Sequence, residues 1–226
     1  MLQNLLDIYA APTAVFERLK TRPSWFLPLL LVIVAIASIQ IGYVMTTDYG
    51  YLVDQLVEQS LARNPNARAS EVRAAMENLN PSLIAISAST ATAVAVVVLT
   101  CLYAGYLSFL AKFSVQELGY RHWLAMGAWA NMPTLLVALA AWVVMLSSIN
   151  GQVPQAALQP LSLHSLLNLD GNNSLLQNLS LPQFWSMALL VIGYRCFTDT
   201  SWTRSAIATL APYAVIYGIW ALFVFL

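Results

Sequence analysis

The chain has 226 residues, of which 59% are hydrophobic and only 9% charged, and its formal net charge is zero. Soluble domains carry about 25% charged and about 45–50% apolar residues, so this composition excludes an ordinary soluble domain and predicts an integral membrane protein. The balanced charge gives no basis for nucleic-acid binding, and no nucleic-acid partner is expected.

The first predicted element is a short amphipathic helix within residues 1–24. Pro12 marks its start, because proline is favoured in the first turn of a helix. Val15, Phe16 and Leu19 share one face of this helix. The pattern is typical of an interfacial helix that lies on the cytoplasmic leaflet of a membrane. A helical lead-in to the first membrane span is the alternative interpretation.

Five apolar segments follow, and a helix that crosses a bilayer needs about 20 apolar residues. The segments comprise residues 25–45, 83–109, 123–149, 181–197 and 205–226. The fourth is short and carries Arg195 near its end, so it either spans with the arginine reaching the interface or is re-entrant. The predicted fold is therefore a single-domain, all-α, polytopic membrane helix bundle with five transmembrane helices.

Two longer loops are predicted on the side opposite the N-terminus. Residues 46–82 predict an extracytoplasmic helical hairpin, because two helical patterns flank the breaker "NPNA" at residues 64–67. This hairpin is either a solvated spacer or a surface that binds a partner. Residues 150–180 form a second outer loop that is rich in asparagine and lacks Lys and Arg.

The distribution of Lys and Arg predicts the orientation in the membrane. Seven of them lie before span one, between spans two and three, or between spans four and five, whereas three lie in the first outer loop. The N-terminus is therefore expected in the cytoplasm and the C-terminus outside. The expected cytoplasmic anchors are Arg121, Arg195, Asp199 and Arg204.

No catalytic motif is found in the sequence. It contains no H-E-x-x-H, no G-x-S-x-G and no glycine-rich phosphate loop. The two histidines lie on opposite predicted sides, so they are not expected to share a metal. No Asp or Glu falls inside the five segments, which argues against ion-coupled transport. The chain is not expected to be an enzyme, and no catalytic residue, metal or cofactor is predicted.

The third span holds Asn131 and Pro133 in one helical turn. Proline lacks a backbone N–H, so the carbonyl of Trp129 loses its helical donor and the helix bends. Asn131 is close enough to serve the freed backbone groups. Pro212 predicts a similar interruption in the last span. Two interrupted spans suggest kinks that face each other around a cavity or at a tight crossing, either as packing features or as a ligand or partner site.

Four stretches carry a resemblance to a known family. They are "APTAVFERLKTRPSWFLPLLL", "ELGYRHWLAMGAWANMPTLL", "FWSMALLVIGYRCFTDTSWTRSAIATL" and a C-terminus that ends on the last span. In these stretches the chain resembles the Yip family, the Ypt/Rab-interacting integral membrane proteins, in its bacterial branch.

The resemblance implies a five-helix bundle with a cytoplasmic N-terminus, located in a bacterial inner membrane. Eukaryotic relatives contact small GTPases through a longer N-terminal region. This chain has only about two dozen residues before its first span, so a small-GTPase partner is not expected. The resemblance implies no catalytic residues, and the structural positions that it implies are Gly119, Arg121, Pro133, Gly193 and Asp199.

The leading hypothesis is a non-enzymatic membrane protein that binds other membrane proteins or lipids as an assembly, organising or regulatory factor. Its expected partners are membrane lipids and either another membrane protein or further copies of this chain. The first alternative is a small passive channel or transporter whose pathway is lined by Asn131, Tyr103, Tyr194 and Tyr213. A second alternative, a lipid-handling protein, predicts a lipid-filled groove between spans.

Overall fold

The computed structural model describes residues 2–112, 118–148, 150–169 and 173–225. The predicted end of the third span at residue 149, Glu117 at the start of one family-like stretch, and residues 170–172 of the second outer loop lie outside these ranges. Within them the secondary structure is helical, with one isolated antiparallel bridge between Ser162 and Ser180. The expectation of an all-α protein is confirmed.

Twelve α-helices lie in the described ranges. They are α1 (Leu2–Ala10), α2 (Pro12–Thr21), α3 (Phe26–Thr46), α4 (Tyr49–Arg63), α5 (Ala69–Glu77), α6 (Pro81–Ala111), α7 (Tyr120–Ala130), α8 (Thr134–Ser147), α9 (Leu163–Leu166), α10 (Ser174–Asn178), α11 (Leu181–Thr198) and α12 (Trp202–Phe225). A short 3₁₀-helix, Gln155–Leu158, lies between α8 and α9.

Local sequence explains where two of the long helices begin. Pro81 and Pro182 lie in the first turns of α6 and α11, where a missing backbone N–H removes no helical hydrogen bond. The side chains of Asn80 and Ser180 accept hydrogen bonds from first-turn N–H groups of these helices, as N-cap residues do.

Four stretches are long and apolar enough to cross a membrane. They are Phe26–Thr46, Pro81–Ala111, Tyr120–Ser147 and Trp202–Val224. The protein is therefore a multi-pass membrane protein. The segment predicted as the fourth of five spans, now α11, is not among them, because Gln183 and Arg195 lower the mean hydropathy of its 18 residues.

The larger buried core is centred on α7. Every residue from Trp123 to Ala130 is buried, with α2, α6 and α11 packed around them. The Trp123 ring lies 5.5 Å from the Tyr194 ring and 5.6 Å from the Phe197 ring, both on α11, measured between centroids. Such close packing stabilises helix association in a bilayer, where lipid is as apolar as the side chains themselves.

The amphipathic helix α2 is part of this core. Val15, Phe16 and Leu19 are at most 1% exposed, and the Phe16 ring meets the Phe197 ring edge-on at 6.4 Å. Their face is covered by α7 and α11, which corrects the prediction that it lies on the lipid leaflet. Hydrophobic periodicity identifies a buried face, but it does not distinguish burial in protein from burial in lipid.

Gly193 allows α11 to approach its neighbours in this core. A Cβ atom there would lie 2.7 Å from Cγ of Met126 and 2.9 Å from Cε1 of Phe16. Both distances are far below ordinary van der Waals contact. The crossing of α2, α7 and α11 therefore needs a residue without a side chain at this position, as small residues at membrane helix crossings commonly provide.

A second buried cluster joins α3, α4, α8 and the segment 153–158. The hydroxyl of Tyr43 donates to the carbonyl of Val153 at 3.1 Å. Where α3 crosses α8, a Cβ at Gly42 would lie 2.6 Å from the ring of Trp142, whose Nε1 donates to Oγ of Ser38 at 3.1 Å. The end of α3 is therefore tied both to α8 and to the loop that follows α8.

Helices α4 and α5 pack against each other through polar contacts. Arg73 on α5 forms ion pairs with Asp54 on α4 and with Glu77. The hydrogen bond and charge of Asp54 raise the pKa of the Arg73 guanidinium, which stays charged. The hydroxyl of Tyr49 donates to the carbonyl of Leu79 at 2.7 Å. No residue of α5 is buried, so this helix is a surface element.

Candidate functional site

The third span is interrupted between Asn131 and Pro133. Helix α7 ends at Ala130, and α8 begins at Thr134. Across the break, the N–H of Met132 donates to the carbonyl of Trp129 at 3.1 Å, and the N–H of Thr134 donates to the carbonyl of Asn131 at 3.0 Å. The carbonyl that Pro133 leaves without its helical donor is therefore satisfied by the residue three positions after it.

The N-terminal segment also binds this break. The hydroxyl of Tyr9 donates to the carbonyl of Met132 at 2.7 Å, and Nε1 of Trp129 donates to the carbonyl of Ser24 at 2.8 Å. Burial raises the pKa of Tyr9, because it disfavours the charged phenolate. The hydroxyl consequently stays protonated at neutral pH and remains a donor.

Pro212 does not interrupt the last span. Helix α12 runs continuously through it, which corrects the expected second break. Because Pro212 lacks an N–H, the carbonyl of Ala208 has no helical donor. The hydroxyl of Tyr106 on α6 donates to that carbonyl at 2.9 Å, and the hydroxyl of Tyr103 donates to the carbonyl of Thr209, also at 2.9 Å. Two tyrosines of α6 thus hold α12 beside its proline.

A cavity of about 350 Å³ lies between the helices at this level. Ile36, Val96, Thr134 and Tyr213 line it. These four residues are at or next to the midpoints of α3, α6, the 120–147 stretch and α12, respectively. Because each of these stretches is long enough to cross a bilayer, this part of the cavity falls near the membrane midplane, and we call the site the midplane cavity. Its lining continues towards one membrane face, to Gln183 near the start of α11 and Trp220 near the end of α12.

The polar groups that line the cavity are uncharged. Among the described residues, no Asp, Glu, Lys or Arg contributes to the lining, whereas Asn131, Gln183 and Tyr213 do. No side-chain hydrogen bond joins these three to any other residue in the described ranges. A polar group left unpaired in an apolar medium costs roughly 1–3 kcal/mol by protein mutational data. These groups would therefore be stabilised by a ligand that offers hydrogen-bonding atoms.

The cavity reaches the outer surface of the bundle between α6 and α12. Leu99 on α6 and Ile216 on α12 both line it, and they are 63% and 60% exposed, respectively. Exposed leucine and isoleucine side chains at mid-span face lipid chains in a membrane. The opening between these residues is therefore on the lipid-facing side of the bundle.

The structure brings four of the sequence-predicted residues together at this cavity: Asn131, Tyr103, Pro212 and Tyr213. Pro133 is buried and lies outside the lining. Tyr194 is 5% exposed and packs on Trp123, which corrects its prediction as a lining residue.

Gln183 lines the cavity as well, although it was not among the residues predicted from the sequence. The sequence contains an indication of this role, because Gln183 is a lone amide inside a predicted apolar span, as Asn131 is. It was not singled out because nothing in the sequence indicates that the start of α11 borders a cavity shared with α12.

The predicted cytoplasmic anchors are all exposed at the surface of the protein; they are Arg121, Arg195, Asp199 and Arg204. The guanidinium of Arg195 lies 4.3 Å from the centroid of the Trp202 ring, a cation–π contact. Asp199 ends α11 in a left-handed conformation, with φ of 53°, and its carboxylate lies 3.9 Å from Nζ of Lys20. The first contact joins α11 to α12, and the second connects the turn between them to α2.

Apolar helices that pack around a midplane cavity define this chain as a multi-pass integral membrane protein. The Yip1 domain family matches residues 6–223, and the chain belongs to that family. No curated protein and no solved structure matches it. The family expected from the sequence is confirmed. Within the described residues, no group of three or more His, Cys, Asp or Glu is placed to hold a metal ion.

Proposed function

We propose that this protein is a non-enzymatic membrane protein that binds a lipid of the surrounding bilayer in its midplane cavity, and that the bound lipid has an organising or regulatory role. The observation that carries the proposal is the opening of the cavity between Leu99 and Ile216 on the lipid-facing side. A lipid chain can enter there without crossing an aqueous phase, and the apolar lining suits it.

The packing of α7 favours this function over a passive channel. A solute pathway needs a route from the cavity to both membrane surfaces. Between the cavity and helices α1 and α2, the side chains of Trp123, Met126 and Trp129 are fully buried, at 0% exposure. A ligand that enters sideways from the membrane does not have to pass these residues.

We also propose that α11 is a fifth span, with the N-terminus in the cytoplasm of a bacterial cell and the C-terminus outside. Its 18 residues rise about 27 Å at about 1.5 Å per residue, close to the roughly 30 Å of the hydrocarbon core. Leu190, near its middle, lines the same cavity as the midpoints of the other spans. A lower hydropathy is tolerated because Leu189, Leu190 and Phe197 are buried against protein.

The lipid proposal is tested by filling the cavity. Val96 lines the cavity, so Val96→Trp should displace a bound lipid, whereas Val94, two residues earlier on α6, is 56% exposed and lies outside the lining. The lipid that co-purifies in mild detergent is quantified per protein chain by mass spectrometry. Wild type and Val94→Trp should retain it, and Val96→Trp should retain roughly tenfold less, as a loss of about 1.4 kcal/mol of binding free energy gives when the variant's site is mostly empty.

Equal lipid retention by wild type and Val96→Trp would contradict the proposal. Binding to another membrane protein or to further copies of this chain stays a prediction from the sequence. Recovery of a stoichiometric membrane-protein partner with a lipid-free chain would favour that alternative. A small-GTPase partner forms no part of the proposal.

A further inference from the structure

We propose that the lipid bound in the midplane cavity has an uncharged headgroup whose hydroxyl and carbonyl oxygens bind Asn131 and Tyr213. The inference rests on the proposed lipid binding and narrows it to one chemical class: a neutral lipid alcohol with ester carbonyls, of the diacylglycerol type. Phospholipids with the same acyl chains are excluded from headgroup binding at this site.

Charge is the first reason for this selectivity. A charged group at the bilayer centre is costly because it loses its hydration. A phospholipid headgroup carries a phosphate, and the described lining offers no guanidinium or ammonium group to neutralise it. An uncharged headgroup avoids both the desolvation of a charge and the absence of a counter-ion, so it can descend to the level of the cavity.

The available hydrogen-bonding groups are the second reason. The amide of Asn131 offers both a donor and an acceptor, and the hydroxyl of Tyr213 offers a donor. The hydroxyl of Tyr103 already donates to the carbonyl of Thr209, so it can only accept from a ligand. A ligand with one hydroxyl and neighbouring carbonyl oxygens matches these three side chains. Its hydroxyl can donate to Asn131 or Tyr103, and its carbonyl oxygens can accept from Asn131 and Tyr213.

One face of α12 provides the wall for the attached chains. Tyr213, Tyr217 and Trp220 follow one another at helical spacing and line the cavity together. The rings of Tyr217 and Trp220 are nearly parallel, at 8°, with centroids 6.2 Å apart. These stacked side chains extend the cavity wall from Tyr213 towards the end of α12, and an acyl chain attached to the ester group can lie against them.

The test compares lipids that differ only in their headgroup. The purified 226-residue chain in detergent is photolabelled with a photoactivatable dioleoylglycerol. Unlabelled dioleoylglycerol, dioleoylphosphatidylcholine or dioleoylphosphatidylglycerol is added as a competitor. Dioleoylglycerol should compete at a roughly tenfold lower concentration than either phospholipid, equivalent to about 1.4 kcal/mol. The labelled site should map to residues 96–103 or 212–220.

Two variants and one control assign the preference to the named groups. Asn131→Leu and Tyr213→Phe should each reduce the preference for dioleoylglycerol towards equal competition, and Tyr213→Phe removes only a hydroxyl, so it keeps the packing of the ring. Gln40→Leu also replaces an amide in a spanning helix, but Gln40 lies outside the cavity lining. It should keep the wild-type preference.

The outcomes separate this inference from the proposed function. Saturable labelling that all three lipids displace equally would overturn the headgroup inference and leave lipid binding intact. Labelling that no lipid displaces would overturn both. A preference for dioleoylglycerol that survives in both Asn131→Leu and Tyr213→Phe would overturn the assignment to these residues.

Discussion

The side chain of Asn131 is available for a ligand, because the backbone carbonyls at the helix break accept hydrogen bonds from other groups. The carbonyls of Trp129 and Asn131 accept hydrogen bonds from N–H groups three residues later, and the carbonyl of Met132 accepts from Tyr9. The sequence predicted that the Asn131 amide would perform this repair. Because backbone donors and a tyrosine hydroxyl do so, the amide is not needed there and lies at the cavity.

Gly193 gives the sharpest prediction at the residue scale. Gly193→Ala would place a Cβ 2.7 Å from Met126 and 2.9 Å from Phe16, and overpacking of a tight core costs typically 1–3 kcal/mol. We expect a lower thermal unfolding temperature in detergent. Gly105→Ala is the matched control, since a Cβ there meets nothing within 4 Å. Equal unfolding temperatures for the two variants would contradict the argument from close approach.

At the scale of elements, α12 is the least embedded of the four apolar stretches. Only 6% of its most apolar window is buried inside the protein, compared with 33% for Tyr120–Ser147. Its hydrogen bonds to α6 come from Tyr103 and Tyr106, on one side of the cavity. These two contacts attach α12 to α6 beside the cavity, whereas α11 packs on α12 from another side.

Removal of these hydroxyls should loosen α12. Tyr106→Phe leaves the Ala208 carbonyl without a side-chain donor, and Tyr103→Phe does the same at Thr209. Each lost hydrogen bond should lower stability by about 0.5–1.5 kcal/mol, measured by thermal unfolding in detergent, with faster amide exchange in α12. Tyr217→Phe is the control, because its hydroxyl bonds to no other described residue. If Tyr106→Phe is as stable as Tyr217→Phe, the tyrosine contacts do not hold α12.

At the scale of the whole molecule, the side on which each loop lies depends on whether α11 crosses the membrane. Four spans would return the C-terminus to the side of the N-terminus, and five would place it opposite. The exposed arginines 121, 195 and 204 all belong on the cytoplasmic side if α11 crosses. The turn between α11 and α12 therefore reports the number of spans.

Cysteine labelling decides between these topologies. Single cysteines at the exposed positions Thr13, Asn66 and Thr203 are introduced after replacement of Cys101 and Cys196 by serine. With five spans, a membrane-impermeant reagent should label Asn66→Cys in intact cells, and label Thr13→Cys and Thr203→Cys only after permeabilisation. Labelling of Thr203→Cys in intact cells, alongside Asn66→Cys, would show that α11 does not cross.

The sequence by itself determined the class, the family and most helix positions. Composition far from that of soluble domains required a membrane environment, and runs of apolar residues located the four stretches that are long enough to span. Proline marks three helix starts, at Pro12, Pro81 and Pro182, and the break at residues 131–133, because a missing N–H has the same consequence in any fold. These features depend on near neighbours in the chain, so they can be read without the fold.

Only the tertiary structure decided which surfaces meet. Val15, Phe16 and Leu19 are covered by protein rather than lipid. Hydrophobic periodicity could not predict this, because it identifies an apolar face and not what packs against that face. Tyr194 packs in the core, and Gln183 lines the cavity. Helix α12 continues through Pro212, and the hydroxyls of two tyrosines about one hundred residues earlier donate to the carbonyls before that proline. The cavity exists because residues near the midpoints of separate helices surround the same space. No local sequence pattern encodes the distances between those helices.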